Sequence, residues 1–348
     1  MPRRQTRGRS LNRAGPRRRT VNNRHRARSL NANRRIRNEE IGSGGFGVVS
    51  RPPQMCGRYL SNEENFNSAA FRETYLGNPE YISKLTEFSG AEHELAIGTY
   101  IKDNVDDYQN YVCLVEFICQ APENKAIEVN GDFYGTYAIA PYCGVPLNKL
   151  VEKDIPPPVS IFELCFLVTA LQHLTRGLHR LHRARIFHQD IHLENILWDT
   201  NTGLMRLIDF GLAQNINGEH LANNSPIIIN VELGDWEKMV QDVIIPVTNY
   251  VLDSDILEKA RRKYQYVDDF YYQLREFNGK IQGILNPRGA PLMRANNDER
   301  VTRYLNVVLQ FREIQTLDEI SNEHNRANAE AAAANAANRA VNNRKNNQ

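Results

Sequence analysis

The sequence predicts an α+β body in two lobes, a small strand-rich part followed by a larger helical one. Three observations predict it. Apolar–polar alternation and glycine-rich turns dominate up to about residue 145. A proline stop at Pro156, Pro157 and Pro158 then introduces a long helix with one apolar face. From about 235 to 320 the periodicity stays helical. With 348 residues, 41% of them apolar, the chain can bury a sizeable core around a shared cleft.

Residues 1–38 hold 14 arginines, no lysine and no acid, leaving 29 basic against 41 acidic residues, about −12, in the remainder. A basic arm precedes an acidic body. The arm has too few apolar residues to offset the entropy of ordering, so it is expected to be disordered. Its arginines invite phosphate partners through salt-sensitive, sequence-blind contacts, with nucleic acid the candidate. A solvated tail and a nuclear address are the plainer readings. Ser10, Thr20 and Ser29 sit beside arginines there.

Residues 39–145 form the expected first lobe. Residues 39–50 predict a β-hairpin with a glycine-rich turn, and the polar, irregular stretch 51–80 reads as an insertion. Strands are predicted at 81–86, 110–120 and 133–143, and a helix at 91–102. Residues 146–322 form the second lobe. Ser160 and Glu163 make a capping box, and Leu164, Leu167, Leu171, Leu174, Leu178 and Leu181 mark one helix face. Residues 323–348 are an Ala/Asn-rich low-complexity tail that cannot anchor a core.

The five cysteines are Cys56, Cys113, Cys119, Cys143 and Cys165. An odd count without a C-x-x-C pair predicts reduced thiols rather than a disulfide framework or a thiolate zinc site. No apolar run reaches the roughly 18 residues of a membrane span, and no secretory leader is evident. The expectation is a soluble protein inside a cell, with no membrane partner.

Three motifs carry chemistry. Ile41–Val49 fits G-x-G-x-x-G-x-V, with Gly42, Ser43, Gly44, Gly45, Phe46 and Gly47 as a loop whose backbone amides can approach phosphates, and Val49 placed to cover an adenine ring. Taken alone it reads equally as a plain turn, and the same spacing opens dinucleotide folds. Against those, Val48 and Val49 continue a strand, and Pro52 and Pro53 discourage a helix. In the second motif, Phe187–Leu197, Asp190 and Asn195 stand five apart. A carboxylate there can orient and deprotonate an attacking hydroxyl, and the amide oxygen can hold a metal on the phosphates. A metal pair from His188 and His192, four apart, is the rival reading. The third is Leu207–Ala213, an apolar strand ending in Asp209-Phe210-Gly211, fourteen residues beyond Asn195 across the turn Asn201-Thr202-Gly203.

Together these motifs resemble the catalytic domain of the protein kinase superfamily over residues 39–250. AEHELAIGTYI (91–101) and HQDIHLENIL (188–197) look closest to serine/threonine kinases of large DNA viruses. The resemblance implies a protein-kinase-like two-lobe fold and an ATP-dependent serine/threonine protein kinase using Mg2+ or Mn2+, with a protein substrate. It implies Asp190 as catalytic base, and Asn195 and Asp209 as metal ligands. It calls for a strand lysine gripping the α- and β-phosphates, a place that falls to Lys84, the single lysine between Val49 and Tyr100. Glu94 is its implied helix partner and Glu92 the competitor. Ala138–Leu147 resembles the hinge between lobes. Pro141 has no amide to donate, which leaves Cys143 as the backbone donor to adenine.

The chain also departs from the family pattern. Gln189 stands where an arginine usually docks a phosphorylated activation loop, implying activity without that modification. His192 stands where a lysine would neutralise the γ-phosphate. No Ala-Pro-Glu closes the short segment between Asp209 and Asp235, and Asp235 is the implied anchor of the catalytic loop. His192 and the short segment favour a small-molecule kinase of the aminoglycoside-phosphotransferase type as one alternative. A non-catalytic kinase-fold protein that binds nucleic acid through its arm is the other.

Overall fold

A computed structural model describes residues 39–44, 47–59, 74–129, 132–216, 222, 225–287, 292, 295–316, 318–323, 325–326, 329–330 and 333. The basic arm, the tip of the glycine loop at 45–46 and most of the tail lie outside these residues.

The first half is organised by an antiparallel sheet. Its strands are β1 (Glu39–Gly44), β2 (Gly47–Arg51), β3 (Arg58–Tyr59), β4 (Tyr81–Thr86), β5 (Phe117–Gln120) and β8 (Thr136–Pro141), in spatial order β1-β2-β4-β8-β5-β3. A small hairpin, β6 (Ile127–Val129) with β7 (Asp132–Tyr134), leads into β8. Helix α1 (Phe88–Asn104) covers one sheet face, where Ala91 packs with Val115, Ile118 and Ala138.

The second half begins with β9 (Val145–Pro146) and the short α2 (Leu147–Val151). Helix α3 (Ile161–Arg183) then runs through the centre of the core. Its six-leucine stripe is fully buried at every position the sequence marked. The Glu163 amide donates to Ser160 Oγ (3.2 Å), while Glu163 Oε2 accepts from the Val159 amide (2.8 Å). The return bond of the capping box therefore lands one residue earlier than usual. After β10 (Ile186–Phe187), β11 (Ile196–Asp199) and β12 (Leu204–Leu207) form a hairpin around Gly203, whose φ of 69° suits glycine. Strand β13 (Gln214–Asn215) pairs with β10.

Helix α4 (Pro226–Lys238) passes through a π-helical turn, Met239–Ile244, into α5 (Ile245–Leu252). Pro246, which has no amide to donate into the helix ladder, lies just beyond the π turn. Helices α6 (Asp255–Arg261), α7 (Gln265–Leu285) and α8 (Asn297–Arg312) complete the bundle. No helix among the described residues is long and apolar enough to cross a membrane.

Two expectations are corrected. Residues 110–116 are not strand: Tyr108–Asn110 form a 3-10 turn, and only Val112 makes an isolated bridge, to Leu207. The apolar run there is buried because it threads between the sheet and α3, which mimics a strand in composition. The cysteines are also not all reduced. Cys56 pairs with Cys119 and Cys113 with Cys143, leaving Cys165 buried in α3, its thiol pushed up to about 12 mainly by that burial. The partners lie 63 and 30 residues apart. Strand pairing brings Cys56 beside Cys119, so local spacing carries no trace of it. The argument from reduced thiols to a reducing compartment falls with this finding.

Replacing Leu174 by alanine should cost about 2–5 kcal/mol of stability in denaturant unfolding, because a fully buried side chain is removed from the core. The same change at half-exposed Phe166 on the same helix should cost less than about 1 kcal/mol.

Candidate active site

A cavity of about 290 Å³ opens between the sheet and the helical half. Ile41, Val49, Ile82, Ala138 and Ala140 line it from the sheet, and Leu197 and Ile208 from the β11–β12 side. Pro141, Tyr142 and Cys143 form one edge. Lys84, Glu94, Asn195 and Asp209 gather at the polar end. An apolar slot with a few convergent polar groups is the usual form of a small-ligand site.

Strand alternation decides which β4 residues face this slot. Ile82 and Lys84 point into it, while Ser83 is buried on the other face. Lys84 Nζ lies 2.8 Å from Asp209 Oδ2 and 3.9 Å from Glu94 Oε2. Glu94 shares the buried face of α1 with Ala91, Ile97 and Ile101, whereas Glu92 is exposed. That settles the helix register that the sequence left open. Burial disfavours the Lys84 charge, but the two carboxylates outweigh it and hold the ammonium above its ordinary value. Burial pushes the Glu94 carboxyl up, with Lys84 working against the shift.

Below the slot, the segment after β10 is shaped by Asp235 of α4, a residue with no exposed surface. Its Oδ2 accepts from the His188 amide (2.8 Å) and His182 Nε2 (2.9 Å), and its Oδ1 from the Gln189 amide (2.7 Å). Gln189 has a φ of 64°, and its Nε2 donates to Val231 O (2.8 Å). The loop thereby turns Asp190 towards the cleft. Asn195 Nδ2 donates to both Asp190 O and Asp190 Oδ2, each at 3.0 Å. His192 Nε2 lies 3.4 Å from Asp190 Oδ2, and Lys238 Nζ lies 3.4 Å from Asp190 Oδ1. Burial raises the Asp190 carboxyl, but His192 and Lys238 more than compensate and hold it below the ordinary carboxylate value.

Asp209 sits in the left-handed region at φ 63°, a conformation sparsely populated by non-glycine residues. The next side chain, Phe210, is fully buried with its ring 4.7 Å from that of His188. His93 of α1 bonds to the Ala213 carbonyl at 2.8 Å, tying the helix to the segment after Asp209.

The structure thus brings Lys84, Glu94, Asn195, Asp209 and Val49 to one cavity, with Asp190 bonded to Asn195 at its margin. The backbones of Gly42, Ser43 and Gly44 lie in β1 and that of Gly47 in β2, paired across the hairpin, while Gly45 and Phe46 fall outside the described residues. Cys143 lines the cavity with its sulfur tied to Cys113. Gly144 follows at φ 118°, where a Cβ would collide with the Trp198 carbonyl, so the turn out of the hinge requires glycine. The donor set fits a nucleotide-bound hard cation. Both Nδ2 hydrogens of Asn195 serve Asp190, so its amide oxygen is the group that could meet a cation, in the cavity that the Asp209 carboxylate also lines. The His188–His192 metal pair does not form. His188 is buried with Nε2 on the Ile208 carbonyl (2.8 Å), and burial lowers its pKa and keeps it neutral. Among the described residues no group of three or more His, Cys, Asp or Glu could hold a metal.

Sequence reasoning missed Lys238 and His182. The His182–Asp235 bond spans 53 residues, and Lys238 reaches Asp190 across 48. A helical step of three from Asp235 to Lys238 was the available signal.

The fold and this cleft define a protein-kinase-like two-lobe chain. Residues 136–228 match the family described as Protein kinase domain. Cyclin-dependent kinase C-2 of Oryza sativa subsp. japonica is 30% identical over 56% of this chain and 34% of its own. Cyclin-dependent kinase 9 of Rattus norvegicus is 31% identical over 53% and 42%. Cyclin-dependent kinase 10 of Rattus norvegicus is 34% identical over 26% and 24%. The chain spans less than half the length of these curated relatives.

Replacing Cys113 and Cys143 together by serine removes a crosslink between residues 30 apart at the edge of the cavity. Unfolding free energy should drop by about 2–4 kcal/mol, and dithiothreitol should weaken the parent protein but not this variant through that bond.

Proposed function

We propose that this chain is an ATP-dependent serine/threonine protein kinase. On this reading its lobes are residues 39–145 and 146–322, flanked by the basic arm 1–38 and the tail 323–348. The observation that carries it is the convergence of Lys84, Asn195 and Asp209 on one apolar slot, with Asp190 bonded to Asn195. Ile41, Val49, Ala138 and Leu197 would enclose an adenine ring, with the Cys143 backbone at its edge. Lys84 would grip the α- and β-phosphates. Asn195 and Asp209 would hold Mg2+ or Mn2+, which when bound neutralises charge on the phosphates. Asp190 would accept the proton of the incoming serine or threonine hydroxyl. The oxygen of that hydroxyl bonds to the γ-phosphorus as the bond to the β–γ bridging oxygen breaks, and ADP leaves. A carboxyl held below its ordinary value is ionised and ready to orient the hydroxyl at neutral pH. Gln189 is committed to Val231 and Asp235, which supports activity without a phosphorylated activation loop.

The short segment from Asp209 to Asp235 and His192 beside Asp190 favour a second reading, a small-molecule kinase. The assignment to the branch of large DNA virus kinases rests on the glycine loop with Pro52, Pro53 and Cys56 after it, and on the 91–101 and 188–197 segments; the curated relatives named above are cellular. The arm is read as a nucleic-acid contact on its arginines alone.

Purified chain with radiolabelled ATP and a divalent cation should label basic or acidic test proteins. Asp190→Asn should lower that rate by at least about 100-fold while a fluorescent ATP analogue still binds. Labelling confined to a panel of small alcohols would decide for the second reading, and an Asp190→Asn rate equal to the parent's would remove the catalytic one. For the arm, the full chain should shift random duplex DNA with an affinity that falls steeply from 50 to 200 mM salt, and deletion of residues 1–38 should abolish the shift.

A further inference from the structure

Lys238 is a lysine that the phosphotransferase reading does not use. It lies one helical turn beyond Asp235 on α4, so the carboxylate that anchors the loop and this ammonium share a face. Its Nζ donates to the Gln189 carbonyl at 2.8 Å and reaches Asp190 Oδ1 at 3.4 Å. The other Asp190 oxygen meets Asn195 Nδ2 and His192 Nε2. The two charged or titratable side chains on this carboxylate are therefore Lys238 and His192, one from α4 and one from the loop itself. His188 stands behind it, with Nδ1 on the Asp190 amide at 3.3 Å. The position from which the family resemblance expects a lysine holds His192, a shorter side chain whose Nε2 lies on the Asp190 oxygen opposite Lys238.

We propose that Lys238 is the positioning residue of the catalytic loop, supplying from helix α4 the cation that the kinase resemblance expects at position 192. A compact ammonium on a flexible stem can make this substitution, because it needs only to bring its charge to the same carboxylate. It holds the Asp190 side chain by one oxygen while Asn195 holds the other, and it carries positive charge to the place where the transferred phosphoryl group meets its acceptor. The coupling of α4 to the loop is double: Asp235 takes the amides of residues 188 and 189, and Lys238 takes the carbonyl of 189. The inference rests on the phosphotransferase reading of the cleft for its kinetic consequence, but not for the hold of Lys238 on the loop.

The test compares the full chain with Lys238→Met, Lys238→Arg and the double variant Lys238→Met/His192→Lys, each checked for folding by circular dichroism. Lys238→Met should lower kcat about 10–100-fold with KM for ATP within about twofold, a loss confined to the chemical step. Lys238→Arg should recover part of the rate. The double variant should recover about tenfold or more, because lysine at 192 restores the charge from the loop side. A structural role for Lys238 would not be repaired by lysine at a different position. In parallel, amide hydrogen exchange across residues 188–195 should speed up at least about tenfold in Lys238→Met, because the hold of helix α4 on the Gln189 carbonyl and the Asp190 side chain is lost. Unchanged exchange, or an unchanged kcat in an active protein, would overturn the proposal. If the parent chain transfers no phosphate at all, the function reading fails, while the exchange measurement still decides whether Lys238 holds the loop.

Discussion

The buried carboxylate of Asp235 is the constraint on which the cleft depends. A charge with no exposed surface costs several kcal/mol unless its lone pairs are met. Here they are met by the backbone amides of His188 and Gln189 and by His182 Nε2, with Gln189 Nε2 at 3.3 Å adding a weaker contact. Those donors come from helix α3 and from the loop it feeds, so satisfying one carboxylate aligns both with helix α4. The loop cannot relax without stranding the charge. That is why Gln189 is held at positive φ and why Asp190 is held at the margin of the cavity, bonded to Asn195.

The polar end of the slot shows the same economy of charge. Lys84 stands between Asp209 and Glu94, and Lys238 and His192 stand on opposite oxygens of Asp190. Glu94, Asp209 and Asp190 each have a basic neighbour, which offsets the cost of holding carboxylates in a partly buried setting. Packing reinforces this. Phe210 is buried against His188, which carries its imidazole neutral between the Ile208 carbonyl and the Asp190 amide. The two acidic motifs are thereby joined through one ring.

Much of this was legible in the chain. The leucine stripe of α3, the β1–β2 hairpin, the turn at Gly203 and the convergence of Asn195 with Asp209 follow from periodicity and motif chemistry that are local in sequence. Glu94 was legible only as one of two candidates, because a helix pattern without its sheet does not say which side is inward. The run at 110–116 misled because burial alone makes an apolar segment resemble a strand. The disulfides escaped notice because strand pairing and the return of the chain to the hinge, rather than spacing, bring their cysteines together.

The sequence by itself determined the order of most elements and the two-lobe class, since these depend on short-range periodicity, and it named the candidate acidic and amide groups from the residue types that can do the chemistry. Only the tertiary structure decided the partners. Lys84 between two carboxylates, Asp235 beneath the loop, the Cys113–Cys143 tie and Lys238 reaching Asp190 from another helix are all contacts between distant segments. Such contacts depend on how packed faces register against one another, and that information is spread over the whole core rather than written at either end of the contact.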